Sequence, residues 1–380
     1  MHFAFTEQQE EFRLAVRQVL ARECTTDDLR AAYAAPTART PRWATLAGLG
    51  VTGLTVPESH GGLGLALLDL VPLAEEAGAV GLPEPLVDTT ALAAPLLAGL
   101  VDPDGVGASG TGAVGGGGDG PLQAKVGPWL DGITRGTVTA AVGPVPIGGR
   151  PVPIAGADGA DLLVLYSPGG PGDAEGAEVH VVDGAEVTVR AVPSLDPTRR
   201  LGIPHWAPTP DTVVLSGDDA ASAIRSLSDR AAVAVGAELL GLADTMIGTA
   251  AEYAKERRQF GAAIGSFQAV KHLLAGARVA LEFARPAVYA AAWSLDVGAD
   301  DASRAASMAK ATASEAAVEA ARVSLQVHGA IGYTWECDLQ LFLKRAWALS
   351  ESWGSAAEHR QRVLGSLLDE RRREPGDHRG

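Results

Sequence analysis

The sequence predicts a mainly α-helical protein with a small β domain set into its middle. Three observations predict it. Apolar residues recur at helical spacing through the first third of the chain and again through its last part. Between about residues 137 and 217 the period shortens to that of strands. The 380 residues, 47% of them hydrophobic, suffice for two or three domains around a large core. The expected organisation is an N-terminal helical domain over 1–136 with a glycine-rich loop at about 104–120, a middle β domain over 137–217, a C-terminal helical bundle over 218–373 and a tail over 374–380.

Helix opens the chain: Thr6 and Gln9 have capping-box spacing, and Phe12, Val16, Val19 and Leu20 follow on one face. Short helical patterns then alternate with the glycine-rich turn His60–Gly64, and "TALAAPLLAGL" continues them. In "GVGASGTGAVGGGGDG", Gly105, Gly107 and Gly110 have G-x-G-x-x-G spacing, but no strand precedes and no apolar helix follows, so a flexible loop is expected and not a dinucleotide site. The runs "TVTAAV", "DLLVLY", "EVHVVD", "EVTVRAV" and "DTVVLS" read as strands, with Asp183-Gly184 as a hairpin turn. Farther on, Val235, Leu239, Leu242, Met246, Ala250 and Tyr253 form one stripe, and Phe267, Val270, Leu274, Ala277, Leu281, Ala284, Val288 and Leu295 another. Alanines 302, 306, 309, 313, 316 and 320 let helix axes approach closely.

Composition excludes several function classes. A formal net charge of −15 argues against general binding to nucleic acid or an anionic membrane, so an anionic ligand has to be held by local arginines and backbone amides. Two distant cysteines, Cys24 and Cys337, give no disulfide framework, and the eight histidines show no metal-ligand spacing. "MHFAFTEQQEEF" lacks the features of a signal peptide and no run of about 18 apolar residues occurs, so a cytoplasmic protein without a membrane span is expected.

One segment breaks the helical pattern. In "KERRQFGAAIGSFQAVKH", Lys255 to His272, arginines, glycines and Ser266 stand together between two apolar stripes. The segment reads either as a solvated loop with a buried Phe260 or as an anion site, built from arginines and glycine amides with Ser266 at a helix N-cap and suited to a pyrophosphate.

Helical domain, β domain and bundle in this order, with "ERRQFGAAIGSFQAVKHLLA" at the turn, resemble the flavin-dependent acyl-CoA dehydrogenase family over essentially the whole chain. "VPESHGGLG", Val56 to Gly64, is similar to the family's Pro-Glu-x-x-Gly-Gly-x-Gly turn, and "QVHGAIGYTWE", Gln326 to Glu336, to its Gln-x-x-Gly-Gly-x-Gly segment. The resemblance implies a three-domain fold with a β-barrel-like middle and a C-terminal four-helix bundle, FAD as cofactor and an acyl-CoA thioester as substrate. It implies that Arg257, Gln259, Phe260, Phe267 and Gln268 of one subunit, and Gln326, Gly329 and Ala330 of its neighbour, approach the ADP half of a single FAD. Ala330 stands where the family has glycine, and His328 is expected to shape this segment.

Forming a Cα–Cβ double bond requires a base for the α-proton while hydride leaves Cβ for the flavin. The family's usual glutamate is replaced by Trp353 before Gly354, and Glu351 and Glu358 read as turn or surface charges. A minority of the family carries the base on the helix leading to the arginine turn, before an arginine; here that implies Asp229 as candidate base and Arg230 near the thioester. Asp229 reads equally well as a helix N-terminal acid. Trp335, Trp347 and Trp353 read as core.

The β region "AAVGPVPIGGRPVPIAGADGADLLVLY" lacks both family motifs that hold the isoalloxazine ring. The chain thus resembles subunits of heteromeric bacterial dehydrogenases for steroid or other bulky side chains, which share flavins across an interface. A dimer or tetramer through the C-terminal bundle, with at most one FAD per two chains when a dissimilar partner is present, is expected. Three other readings stand beside it: an active homo-oligomeric dehydrogenase that uses Asp229, a partner subunit that completes another chain's FAD site without catalysis, and a same-fold flavin monooxygenase that needs no α-proton base.

Overall fold

A computed structural model describes residues 5–37, 40–102, 120–145, 150–170 and 173–373. The first helix, α1 (Glu7–Glu23), is closed by the expected capping box: Thr6 Oγ1 accepts from Gln9 N at 3.3 Å, and Gln9 Oε1 accepts from Thr6 N at 2.8 Å. Then come α2 (Thr26–Ala34), α3 (Pro41–Gly48) and α4 (Leu67–Val80); a π-helical segment (Val87–Ala93) leads into α5 (Ala94–Val101), and α6 (Gly120–Thr134) completes this part. The glycine-rich loop lies outside the described residues except for Gly120, and so does the tail.

Strands β1 (Ala140–Pro144), β2 (Leu162–Gly170), β3 (Asp173–Asp183) and β6 (Val213–Ser216) form one sheet in the order β1-β2-β3-β6, with β1 parallel to β2 and the other pairs antiparallel. Period-two alternation sends Leu162 and Val164 to the main core and Leu163 and Leu165 to a smaller cluster on the other face, so the run is apolar throughout. The Asp183-Gly184 hairpin does not form. Strand β4 (Thr188–Ala191) pairs instead with β5 (Gly202–His205), whose short Gly-Ile-Pro-His run gave no strand signal. Asp183 accepts from Ala185 N at 2.8 Å, Gly184 N donates to Asp161 O at 2.8 Å, and a Cβ at Gly184 would lie 2.1 Å from Ala160 O. The glycine thus permits a close backbone approach that turns the chain out of the sheet.

The last part is built around α7 (Gly217–Glu256), a single helix of 40 residues. It is long and apolar enough to cross a membrane, but its most apolar stretch is largely buried inside the protein. Around it pack α8 (Gln268–Asp296), α9 (Ala302–His328) and α10 (Leu339–Ser350), while α11 (Ala356–Arg373) lies against α9. The expected faces are the buried ones: Ala277, Leu281, Ala284 and Val288 on α8, and Ala306, Ala309, Ala313 and Ala320 on α9. Where α4 crosses α7 the backbones touch: a Cβ at Gly78 would lie 2.0 Å from Glu238 O, and one at Gly241 would lie 1.9 Å from Glu75 O.

The turn between α10 and α11 is fastened from behind. Lys310, fully buried on α9, donates to Ser350 O at 2.9 Å, Gly354 O at 3.1 Å and Ser314 Oγ at 3.0 Å. His359 Nε2 donates to Trp353 O at 3.0 Å. Burial pushes the Lys310 ammonium down to about 8 and the His359 imidazole down to about 4. Trp353 has φ 56° and Gly354 φ 100°, so a bulky side chain is held in left-handed backbone that seldom accepts one.

Three outcomes test this reading of the fold. Gly78→Ala overpacks the α4–α7 crossing and lowers the urea unfolding free energy by about 1–3 kcal/mol. Gly276→Ala, where no atom lies within 4 Å of the added Cβ, raises it by about 0.5–1 kcal/mol. For Lys310 the folded pKa lies below the unfolded one, so the unfolded chain binds more protons between about pH 8 and 10. Its burial costs stability below that window, and the cost is relieved as pH rises through it. The stability difference between wild type and Lys310→Met, measured by urea unfolding across the window, therefore shifts in favour of wild type as pH rises.

Candidate active site

The sheet and the bundle meet along a cleft of about 390 Å³, walled by β1, residues 152–155, Tyr166 on β2 and the turn after α10. An inner cavity of about 50 Å³ lies against α7 at Val235 and Glu238. Asp88, Arg199, Ser352 and Trp353 line both spaces. One wall is aromatic: Trp353 and Tyr166 stack with ring centroids 6.5 Å apart and planes 26° apart. On the β side, Val142, Pro144, Val152, Pro153, Ile154 and Ala155 are apolar.

The polar groups are set by local structure. Asp88 stands on the π-helical segment, where the widened turn re-aims side chains, and its Oδ1 accepts from Val142 N at 3.4 Å. Arg199 ends a short turn (Pro197–Arg199) that Asp196 caps through Thr198 N at 3.0 Å, and buried Arg345 holds Asp196 at 3.1 Å. Arg199 Nη1 donates to Ala348 O at 3.3 Å and Nη2 to Ser352 Oγ at 3.0 Å. Glu84 is committed elsewhere, paired with buried Arg42 at 2.7 Å. Burial pushes the Asp88 carboxyl up to about 7, raises Glu238 against the pull of Arg345 and Arg199, and lowers Arg199. Asp88 can therefore both give and take a proton near neutral pH, while the aromatic wall offers flat apolar surface.

The residues assigned from sequence to the ADP half lie at one end of the bundle. Arg258–Gln259 and Ala262–Ala263 form a two-stranded hairpin (β7 and β8) between α7 and α8. Arg257 caps α7 with an exposed side chain that makes no hydrogen bond or ion pair among the described residues. Phe260 is 93% exposed with φ 50°, not buried, and meets Phe267 edge-on at 6.3 Å. The N-cap of α8 is Phe267; Ser266 instead donates to Ala263 O at 2.6 Å and closes a 3-10 turn. Gln259 and Gln268 are exposed, as are Gln326, Gly329 and Ala330 where α9 ends. Tyr253, one turn before Arg257, stacks on His328, next to Gly329, at 4.4 Å, so the two segments adjoin within this chain.

The two catalytic-domain candidates on α7 are not brought to the cleft. Asp229 lies well inside the helix, not at its N-terminus, and its Oδ1 accepts from Arg362 Nη2 of α11 at 2.6 Å. Arg230 is 2% exposed; its Nε donates to Ala91 O at 2.8 Å, both terminal nitrogens lack hydrogen-bond partners among the described residues, and Asp296 is the opposing charge. Neither lines either space. Glu358 caps α11 with Ser355, while Glu351 borders the cleft. Trp353 is half-buried, packed against the main core and forming a cleft wall, and Trp335 is 64% exposed beneath Lys344. Sequence reasoning passed over Asp88, Arg199 and Glu238. The signal for Glu238 was a lone carboxylate in "AAVAVGAELLGLA", and Asp88 likewise stands in an apolar stretch.

Residues 6–99 match the model for the acyl-CoA dehydrogenase N-terminal domain and residues 222–368 that for its C-terminal domain. Acyl-CoA dehydrogenase IpdE2 of Mycolicibacterium smegmatis is 29% identical, with 96% of this chain and 100% of the relative covered. The protein of that name from Mycobacterium tuberculosis is 30% identical, with 84% of each chain covered. Among solved structures, the ChsE4-ChsE5 complex from Mycobacterium tuberculosis superposes with a TM-score of 0.78 at 23% identity, covering 99% of this chain and 100% of the other. Both family models match the chain in order and the relatives align over most of its length, so the chain belongs to the acyl-CoA dehydrogenase family.

Proposed function

We propose that the chain is one subunit of a flavin-dependent acyl-CoA dehydrogenase assembly that catalyses α,β-dehydrogenation of an acyl-CoA thioester, and that it shares FAD with a second, dissimilar chain of the same family. The observation that carries this reading is the unequal furnishing of its two ends. At the bundle end, Arg257 has an uncommitted guanidinium, Gln259, Gln268 and Gln326 offer exposed amides, and the first turn of α8 presents backbone N–H groups. These suit a pyrophosphate, and the exposed rings of Phe260 and Phe267 suit a flat heterocycle. At the cleft, the described β-side residues 142–144 and 152–155 supply no side-chain hydroxyl to hold a flavin ring. The chain therefore furnishes the ADP half, and groups that hold the ring beside the acyl part at the cleft have to come in large part from the partner chain. When bound, FAD takes the hydride that leaves Cβ.

This chain's cleft receives the acyl part of the thioester, laid against Tyr166 and Trp353. Asp229 acts as proton acceptor only if Arg362 releases it; with the ion pair in place its work is to fasten α11 to α7. A solved neighbour described as a complex of two named subunits supports the shared assembly.

Flavin content measures the first claim. Arg257→Ala removes a charge-assisted contact worth about 1.5–3 kcal/mol, so the dissociation constant for FAD rises by about tenfold or more and FAD absorbance of the assembled protein after gel filtration falls; unchanged content rejects the role. One tightly bound FAD per chain in a purified homo-oligomer would sink the shared site. Asp229→Asn separates the two roles of that residue. Flavin bleaching by acyl-CoA stays within about threefold of wild type if the ion pair is structural, and falls by orders of magnitude if Asp229 is the base.

A further inference from the structure

The inner end of the cleft holds more unanswered polarity than a hydrocarbon chain can meet. Arg199 makes two hydrogen bonds, to Ala348 O and Ser352 Oγ, and among the described residues no carboxylate lies within ion-pair distance of it. Its neighbour Asp196 is already taken by Arg345. Apart from its own backbone amide, Asp88 has one long contact among the described residues, Oδ1 at 3.4 Å from Val142 N. Both groups line the cleft and the inner cavity alike. An alkyl chain filling this space would strip water from both without replacing it.

The sign of the charges narrows the guest. Arg199 is faced by Asp88 and Glu238, with Arg345 balanced by Asp196. A carboxylate entering here meets negative charge as well as positive. A neutral oxygen meets an N–H donor and adds no charge. Burial keeps Asp88 close to half protonated near neutral pH, so it also answers a hydroxyl or a carbonyl in either role. The stacked rings of Trp353 and Tyr166 then cover the carbon skeleton beside that oxygen.

We propose that the cleft selects acyl thioesters whose carbon chain or ring carries a neutral oxygen substituent, above all a ketone, with that oxygen accepting a hydrogen bond from the Arg199 guanidinium beside Asp88. This rests on the reading that the cleft receives the acyl part. The specificity lies in a polar pocket at the far end of an otherwise apolar slot, which penalises the analogue lacking the oxygen more than it rewards length.

Calorimetric titration tests it on the protein as purified, with whatever subunit and flavin it carries. The probes are pantetheine thioesters matched except for one ketone oxygen: pentanoyl against 4-oxopentanoyl, and octanoyl against 7-oxooctanoyl. At least one ketone member binds wild type about tenfold more tightly than its parent, and in Arg199→Met that ratio collapses towards one. Succinyl pantetheine, which ends in a carboxylate, gains nothing over pentanoyl. Equal affinities within both pairs, or a preference that survives Arg199→Met, overturns this inference and leaves the acyl reading standing. Absence of binding by all the thioesters overturns both. The wild-type comparison needs no variant, so a failure of Arg199→Met to fold does not blunt it.

Discussion

The contact between the α4 and α7 backbones at Gly78 and Gly241 is the constraint on which the rest of the structure depends. Each glycine leaves room for a carbonyl of the other helix at a distance no side chain permits. That approach carries the N-terminal helices onto the flank of α7, and α7 in turn is the wall against which the sheet, α8, α9 and α10 all pack. A helix apolar on every side has to be enclosed completely, and its neighbours supply the enclosure.

Enclosure has polar exceptions: Asp229 and Arg230 lie away from the cleft, and others lie at the cleft and its inner cavity. Glu238 leaves the apolar run of α7 beside Arg345 and Arg199, and Asp88 leaves that of the π segment. Opposite them, the turn bearing Trp353 would be free to relax were it not pinned by the Lys310 ammonium and by His359. The same low-dielectric surroundings that lower Lys310 and His359 raise Asp88 and Glu238, so one physical cause shapes the support of the cleft and its chemistry.

Much of the fold was legible because it follows from periodicity. The alanine face of α9, the stripe of α7 and the Thr6 capping box are local patterns, and they form where expected. What was not legible depends on distant backbone. Gly184 reads as a turn residue, yet its use is to let Ala160 O approach; Gly-Ile-Pro-His is a strand because Thr188–Ala191 lies beside it. Ser266 and Asp229 each stood one helical boundary away from their assumed positions, since α7 begins at Gly217 and α8 at Gln268. The arginine turn was found as a contiguous motif. The cleft escaped because Asp88, Tyr166, Arg199 and Trp353 come from four separated segments that only packing unites.

The length of α7 has a mechanical meaning. Glu238 at the cleft and Arg257 at the bundle end are nineteen residues apart on one unbroken helix, roughly 28 Å along its axis. A long packed helix of this kind is a rigid ruler: tilting or rolling it moves both marks together, and shortening the interval requires breaking the consecutive backbone hydrogen bonds of a turn. The gap between the two ends is therefore a fixed gauge, and a molecule that engages both must match it by its own extension.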